Sequence, residues 1–349
     1  MGDSQAGQSC ILQVYLIQTF LLGFMDIIES VASTPINKRD TFFDSAKTIL
    51  MYLVVFAHCI IYLIGGEKNY DTCDLIVYNF LVLILMPLFT FISGYFYNAE
   101  NSIRKSCLGL FSAFLLFHII GFIISPPSSM QELITPVHVI WYLLSLCYWR
   151  AIVHVMNMYI KRKWIWLVLS LFFMIIAGYI PISREFSFQR TFAYFPFFIL
   201  GNMMRGTDFT GWVKRQNKYM CGIILLSFII VLFFYHPYSK WLLSGWSSFY
   251  QYPCTLILAP FVKIMWLLLA AIIGIAFLCL IPDIKILSSQ GSKTLTVYLL
   301  HSYPILMMAR MGVRIDNIFY LIVISLVIYF VTNYMHNFKV VRWITCPLK

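Results

Sequence analysis

Lys47 and His58 are the two residues whose types and spacing most clearly suit chemistry. They stand eleven positions apart in RDTFFDSAKTILMYLVVFAH, residues 39–58. Because an α-helix has 3.6 residues per turn, this spacing places both side chains on one helix face, about 16 Å apart. Imidazole takes up a proton near neutral pH, so His58 could deprotonate a hydroxyl that attacks a thioester. The alternative role for His58 is a structural hydrogen bond to a neighbouring helix.

A second ionisable residue lies close to Lys47 in the sequence. Asp44 precedes Lys47 by three positions, so the two side chains can form an ion pair on a helix. Lys47 begins a long apolar run, whereas His58 lies deep within it. An ionisable side chain at that depth in a membrane is expected to serve a function, while Lys47 at the surface could be an ordinary snorkelling anchor.

Four further polar or aromatic residues are candidates for substrate contact. Tyr298 and His301 share one face of a later apolar run, where they could line a cavity, or His301 could be a buried and hydrogen-bonded histidine. Arg190 and Trp141 fall near the ends of other apolar runs. Substrate contact and simple anchoring at the membrane interface are both consistent with those positions.

The composition predicts that membrane-spanning helices position these residues. Of 349 residues, 61% are hydrophobic and 11% are charged, far from the values of a soluble domain. A helix needs about 20 apolar residues to cross the hydrocarbon core. The candidate spans are residues 46–64, 75–97, 106–124, 138–157, 164–182, 191–204, 220–235, 255–281, 293–310 and 317–335. We therefore expect an all-α, polytopic transmembrane helical bundle of about ten spans, in which the short run at 191–204, with Pro196, could be broken or re-entrant.

The distribution of positive charge predicts the orientation of the bundle. If the segment before residue 46 is cytoplasmic, most of the 25 Lys and Arg residues fall on the cytoplasmic side, and both chain ends do too. The net charge of +11 then reflects topology, and no basic run with interleaved aromatics indicates nucleic-acid binding. Residues 1–38 are of uncertain status: an interfacial helix, an extra span or a start-site artefact.

The nine cysteines are scattered along the chain and contain no CxxC pair. Their spacing therefore predicts neither a metal site nor a disulfide framework.

The segment 39–58 resembles the opening of the acyltransferase 3 family of integral-membrane acyltransferases. That family has a basic residue, ten further residues and then an essential His in its first helix, and Asp44, Lys47 and His58 match the pattern. Later blocks resemble family motifs in family order, and the closest resemblance is to the branch of the fucose 4-O-acetylases. The blocks are Met86–Phe89, Phe91–Tyr95, His138–Leu143, Arg190–Gly201 and Tyr298–His301.

The resemblance implies a membrane-bound O-acetyltransferase domain over residues 39–349, with His58 as general base. The implied co-substrate is cytosolic acetyl-CoA, with no bound cofactor and no metal. The implied acceptor is a hydroxyl of a cell-surface or lipid-linked sugar, at the plasma (inner) membrane, with the lipid bilayer and polysaccharide-biosynthesis proteins as further partners.

The resemblance also divides the candidate residues into two groups. The residues expected to bind the donor, or to support its binding, are Lys47, Asp44, Arg104 and Lys105. The residues expected to line the acceptor site are His301, Tyr298, Arg190 and Trp141. Two positions depart from the family pattern: Leu85 stands where that branch usually has His, and the adjacent Arg104 and Lys105 replace an RxxR pair.

A multi-pass transporter or lipid-linked glycan flippase is the alternative class. It would also have many helices, buried charges and a basic inner face. Such proteins usually contain paired repeats with broken helices at equivalent positions, and the sequence shows no repeat.

Overall fold

The computed structural model describes residues 40–64, 70–98, 103–137, 139–182, 184–235, 245–252 and 254–345. Within these ranges the chain forms α-helices and short 3-10 turns and no β-strand, which confirms the all-α expectation. The α-helices are α1 Thr41–Leu63, α2 Thr72–Phe96, α3 Ile103–Ile124, α4 Met130–Leu133, α5 Trp141–Tyr159, α6 Lys163–Gly178, α7 Phe188–Met204, α8 Phe209–Arg215, α9 Lys218–Tyr235, α10 Ala259–Leu280, α11 Lys285–Gln290, α12 Thr294–Leu300, α13 Ser302–Arg310, α14 Ile318–Met335 and α15 Lys339–Thr345. The N-terminal segment 1–38 lies outside the described residues.

Five described helices are long and apolar enough to cross a membrane. They are α1, α2, α3 from Cys107, α10 and α14, and the bent pair α8–α9 makes up to six. The polytopic membrane bundle is therefore confirmed in this coarser form. Each of the ten predicted runs overlaps a described helix, while the count of ten spans and the cytoplasmic ends stay predictions.

The short run at 191–204 forms an unbroken helix. α7 continues from Phe188 to Met204 with Pro196 inside it. Within the described chain, it is instead the apolar helices α8 and α9 that are joined by a sharp bend, of 83°. A break at Pro196 is thus the wrong reading of that run.

The start of α1 is fixed by Asp40. Its carboxylate accepts hydrogen bonds from the backbone N–H groups of Phe42 at 3.0 Å and Phe43 at 3.3 Å, which are otherwise unsatisfied at a helix start. The second carboxylate oxygen accepts the Thr210 hydroxyl at 2.8 Å, which ties α8 to the same point.

α1 lies at the centre of the bundle, in contact with α2, α11, α13 and α14. Polar contacts fix its N-terminal half: the Thr48 hydroxyl donates to the Leu287 carbonyl at 2.9 Å, and the Ser45 hydroxyl to the Ile284 carbonyl at 3.3 Å. The residues that α1 presents are therefore held from several sides.

α2 and α7 form the closest helix pair, through two glycines. A Cβ atom built on Gly94 would overlap the Phe198 carbonyl, and one built on Gly201 would overlap the Phe91 carbonyl. Small residues let helix backbones approach in this way inside membranes. The Asn202 side chain donates to the Tyr97 carbonyl at 2.8 Å next to this contact. Two of the sequence blocks therefore pack helices together, and α7 is the helix that carries Arg190.

Candidate active site

The structure brings His58 and His301 together, although they lie on different helices. His58 is on α1, and His301 joins α12 to α13. The His301 Nε2 atom lies 3.4 Å from the His58 Nδ1 atom, and the ring centroids are 5.0 Å apart. Two imidazoles are therefore in contact inside an apolar bundle.

Backbone carbonyls decide which nitrogen of each ring carries the proton. The His58 Nδ1 atom lies 2.8 Å from the Val54 carbonyl, and the His301 Nδ1 atom lies 2.9 Å from the Val297 carbonyl. Because a carbonyl can only accept, we assign the proton to Nδ1 in both neutral rings. The His301 Nε2 lone pair then faces the His58 Nδ1–H group. The basic nitrogen of His58 is consequently Nε2.

The two imidazoles differ in exposure. His301 is fully buried, with an exposed fraction of 0%, whereas His58 is partly exposed. His58 thus has surface that a substrate could contact, whereas His301 has none. This difference makes His58 the candidate base and His301 its positioning residue.

Two tyrosines extend the site on either side of the histidines. The Tyr62 ring stacks on His58, with centroids 6.2 Å apart and planes inclined by 15°. The Tyr298 ring lies 6.2 Å from His301, and its hydroxyl donates to the Val139 carbonyl. Tyr62 was missed by sequence reasoning, although its position four residues after His58 places it on the same helix face.

Arg190 lies between two tryptophans at the C-terminal end of α1. Its guanidinium carbon is 4.9 Å from the Trp141 ring centroid and 4.7 Å from that of Trp246. The phenols of Tyr62 and Tyr298 are close enough to interact with its charge. The structure therefore brings together five of the candidate residues, Arg190, Trp141, Tyr298, His301 and His58.

Hydrogen bonds on both sides of Arg190 hold the start of α7 in place. The Thr191 hydroxyl lies 2.8 Å from that of Ser145, and the Thr191 carbonyl accepts the Trp149 indole N–H at 2.7 Å. The Gln189 amide donates to the Ala177 carbonyl at 2.6 Å. α5 and α6 thus fix the direction of the Arg190 backbone.

The turn before α7 has an uncommon conformation. Phe186 and Ser187 both have positive φ, 49° and 60°, a region that non-glycine residues seldom occupy. Such backbone persists only where the surroundings enforce it, and it concentrates near functional sites. Here the Ser187 hydroxyl meets that of Ser145 at 2.9 Å, so the turn is anchored to α5.

Trp246 and Arg184 were not predicted, and Lys263 explains the position of Trp246. The buried Lys263 ammonium donates to the Gly245 carbonyl, next to Trp246 in the chain. Arg184 contacts the other side of the site, with its guanidinium carbon 5.7 Å from the Trp246 ring centroid. The loop around Trp246 carries no periodic signal in the sequence.

Lys47 and Asp44 form the predicted ion pair at the N-terminal end of α1. The Lys47 ammonium lies 2.6 Å from an Asp44 carboxylate oxygen and 5.3 Å from the Phe96 ring centroid. Asp44 is nearly buried, with an 8% exposed side chain, whereas the Lys47 side chain is 24% exposed. Arg104 is exposed at the start of α3, and the Lys105 side chain lies outside the described residues. No contact of Arg104 with Lys47 appears in the described part of the chain.

A second ion pair lies near the N-terminal end of α1. Lys214 contacts Asp283 at 2.6 Å, and its ammonium is 5.5 Å from the Phe42 ring centroid. The hydrogen bond from Lys214 holds the pKa of the Asp283 carboxyl below its usual range. Two lysines, each paired with an aspartate, therefore lie at this end of α1.

Metal chemistry has no evident site here. Within the described ranges, no group of three or more His, Cys, Asp or Glu side chains could hold a metal ion.

A model of the acyltransferase domain family matches residues 40–336. The chain belongs to this acyltransferase family. No curated protein and no solved structure showed significant similarity to the chain.

The acyltransferase has both site histidines inside the matched region, together with Lys47, Arg190 and Trp141. Family membership favours an enzyme over the transporter or flippase considered as the alternative class. A membrane acyltransferase is the description that the fold and the family share.

Proposed function

We propose that this acyltransferase moves an acetyl group from cytosolic acetyl-CoA to a hydroxyl of a cell-surface or lipid-linked sugar. The observation that carries the proposal is the contact between the His58 Nδ1 atom on the central helix α1 and the His301 Nε2 atom between α12 and α13, 3.4 Å apart. It prepares one imidazole to accept a proton at Nε2.

The reaction needs only the side chains described and two substrates. The His58 Nε2 atom takes the proton of the sugar hydroxyl while the hydroxyl oxygen attacks the thioester carbonyl carbon of acetyl-CoA. The tetrahedral intermediate collapses, the carbon–sulfur bond breaks, and the thiolate takes the proton back from His58. Coenzyme A and the acetylated sugar leave, and the base is restored. A covalent acetyl-His58 intermediate is the alternative chemistry.

Val54 and His301 support the charged form of the base. When Nε2 is protonated, the Nδ1–H group remains held by the Val54 carbonyl at 2.8 Å and faces the His301 lone pair. Hydrogen bonds to an ionised group are stronger than neutral ones. The pair therefore stabilises the imidazolium that forms in the transition state.

The donor would approach from the basic N-terminal end of α1, which we place at the cytoplasm in a ten-span topology with both chain ends inside. Lys47 lies there, about 16 Å from His58 by helix rise. That distance excludes contact with the reacting atoms and suits a phosphate of coenzyme A. The long pantetheine arm would carry the acetyl group to His58, and Arg104 and Lys105 would support binding from the start of α3.

The acceptor would approach from the opposite end, where Trp141, Trp246 and Arg190 lie beyond His58. Aromatic faces suit the stacking of a sugar ring. We place this end outside the plasma membrane, where polysaccharide-biosynthesis proteins would supply the glycan. Acetylation like that of the fucose 4-O-acetylase branch is consistent with this arrangement.

Acetyl transfer by the purified protein tests the proposal. Full-length protein in lipid nanodiscs is given radiolabelled acetyl-CoA and surface glycans extracted from cells that lack the protein. We expect His58→Ala to lower transfer by about 10²-fold or more, the contribution of a general base. The matched control is His154→Ala, since His154 lies on α5 about 20 Å along the helix from Trp141. Normal transfer by well-inserted His58→Ala, or equal loss in both variants, would contradict the assignment.

A further inference from the structure

Two guanidiniums contact the same indole ring beyond the histidine pair. Arg190 and Arg184 lie 4.7 Å and 5.7 Å from the Trp246 centroid, and Arg190 also contacts Trp141. These four residues form what we call the arginine–tryptophan cluster. Arg190 is partly buried, and Arg184 is exposed.

The cluster lacks negative charge of its own. The described ion pairs involve Lys47, Lys214 and Arg215, and none involves Arg184 or Arg190. Arg184 and the phenols of three nearby tyrosines lie close enough to affect the charge of Arg190. Two like charges near one ring repel each other, which a fold tolerates best when an anion joins them.

Glu185 follows Arg184 directly but is engaged elsewhere. Its carboxylate accepts from the Arg184 backbone N–H at 2.9 Å and from the Gln131 side chain. The five N–H donors of a guanidinium need oxygen acceptors, and aromatic rings do not supply them. Within the described residues, the Arg190 donors have no oxygen partner, so a ligand is the natural source of one.

The short distance between His58 and Arg190 determines where the ligand's anionic group lies relative to the reacting hydroxyl. Tyr62 stacks on His58 and interacts with Arg190, and it lies about 6 Å beyond His58 along α1. A sugar whose hydroxyl reaches His58 would therefore present a group on the same or an adjacent residue to Arg190. Guanidiniums bind carboxylate and phosphate oxygens in forked pairs.

We infer that the arginine–tryptophan cluster is an anion subsite, and that the acceptor carries a carboxylate or phosphate close to the acetylated hydroxyl. Trp141 and Trp246 hold the Arg190 guanidinium by cation–π contacts. The inference rests on the proposed function only in taking the acceptor to be a glycan.

Binding measurements separate this inference from the acetyl-transfer chemistry. Full-length protein in nanodiscs is titrated, at fixed ionic strength, with glucuronate, glucose 1-phosphate and glucose as matched hexoses. We expect at least one anionic hexose to bind about ten-fold or more tightly than glucose, the ratio expected for one charge-assisted contact. The stronger of the two anionic probes identifies a carboxylate or a phosphate as the recognised group.

Variants assign that preference to the cluster. Arg190→Gln and the exposed Arg184→Gln should each reduce the ratio, and Arg190→Lys should retain part of it. Arg310→Gln is the matched control, because Arg310 also lies in the terminal turn of a helix, but its guanidinium already donates to the Ile124 carbonyl at 2.6 Å. Equal or undetectable binding of all three hexoses by the wild type, or the same reduction in Arg310→Gln, would overturn the inference. Anion-selective binding without acetyl transfer would keep the subsite and reject the proposed reaction.

Discussion

The His301 Nε2 atom lies 3.4 Å from the His58 Nδ1 atom, although 243 residues separate the two in sequence. One ring is sealed in the bundle, and the other is partly exposed. The buried ring has its own proton committed to the Val297 carbonyl at 2.9 Å. The His301 Nε2 atom can therefore only accept a hydrogen bond from the His58 Nδ1–H group. The nitrogen of His58 that takes up a proton is then Nε2.

Replacement of His301 should lower the rate of transfer more than the binding of either substrate. His301→Ala removes the acceptor that faces the protonated base, and we expect kcat to fall by about ten-fold or more with little change in either KM. His301→Gln restores an oxygen acceptor at similar reach and should recover part of kcat. Steady-state kinetics at matched membrane levels measure this, and a pure KM effect, or no recovery with Gln, would exclude the positioning role.

Lys47 should act on the donor and not on the chemistry. Lys47→Ala should raise the apparent KM for acetyl-CoA about ten-fold, the value of one lost charge-assisted contact, and Lys47→Arg should keep most activity. Lys47→Ala also leaves the nearly buried Asp44 carboxylate without its described ion-pair partner. The double variant Asp44→Asn/Lys47→Ala removes that effect.

Acetyl-CoA titrations on the single and double variants distinguish the two roles of Lys47. A raised KM in both variants supports donor binding. A normal KM in the double variant would show that Lys47 only compensates Asp44, and an unchanged KM in Lys47→Ala would leave Lys47 as an anchor.

Gly201→Ala should separate α2 from α7. The added methyl group would overlap the Phe91 carbonyl, and overpacking of this kind costs about 1–3 kcal/mol. Gly222→Ala is the matched control, because a Cβ at Gly222 on α9 meets nothing within 4 Å. Thermal unfolding followed by size-exclusion chromatography should show a lower melting temperature for Gly201→Ala alone. Equal melting of the two variants would show that the contact is not tight.

Reporter fusions test the predicted ten-span topology. Fusions after residues 70, 130 and 245 should be active outside the membrane, and those after residues 100, 160 and 212 inside it. The physical reason is the concentration of Lys and Arg on one side of the predicted spans. A reversed pattern would reject the orientation and with it the direction of donor entry.

Much of the fold could be read from the sequence because hydropathy and charge are local. The helix α1, the ion pair of Lys47 with Asp44 and the shared face of Lys47 and His58 all follow from short spacings. The continuity of α7 could not be read, since Pro196 is tolerated where neighbouring helices enclose the backbone. The number of spans is still a matter of prediction.

Some residues of the candidate site could be identified from the sequence, but their assembly could not. His58 and His301 were each identified, yet only the packing of α1 against α12 and α13 shows that they meet. Trp246 lies in a loop without periodicity, so no local pattern could place it beside Arg190. Its position depends on the hydrogen bond between Lys263 and Gly245, which joins distant parts of the chain.

The glycine contact between α2 and α7 fixes the position of one helix along the other. Because Gly94 and Gly201 each face a carbonyl of the other helix, sliding α7 along α2 would bring a Cβ atom into the backbone of its neighbour. The position of Arg190 relative to α2, which packs against the His58 helix α1, is consequently set by main-chain geometry and not by adjustable side chains. Under the proposed function, such an enzyme would recognise a fixed spacing on its acceptor, and a different acetylated position would require rebuilding the turn at Phe186 and Ser187 rather than shifting the helix.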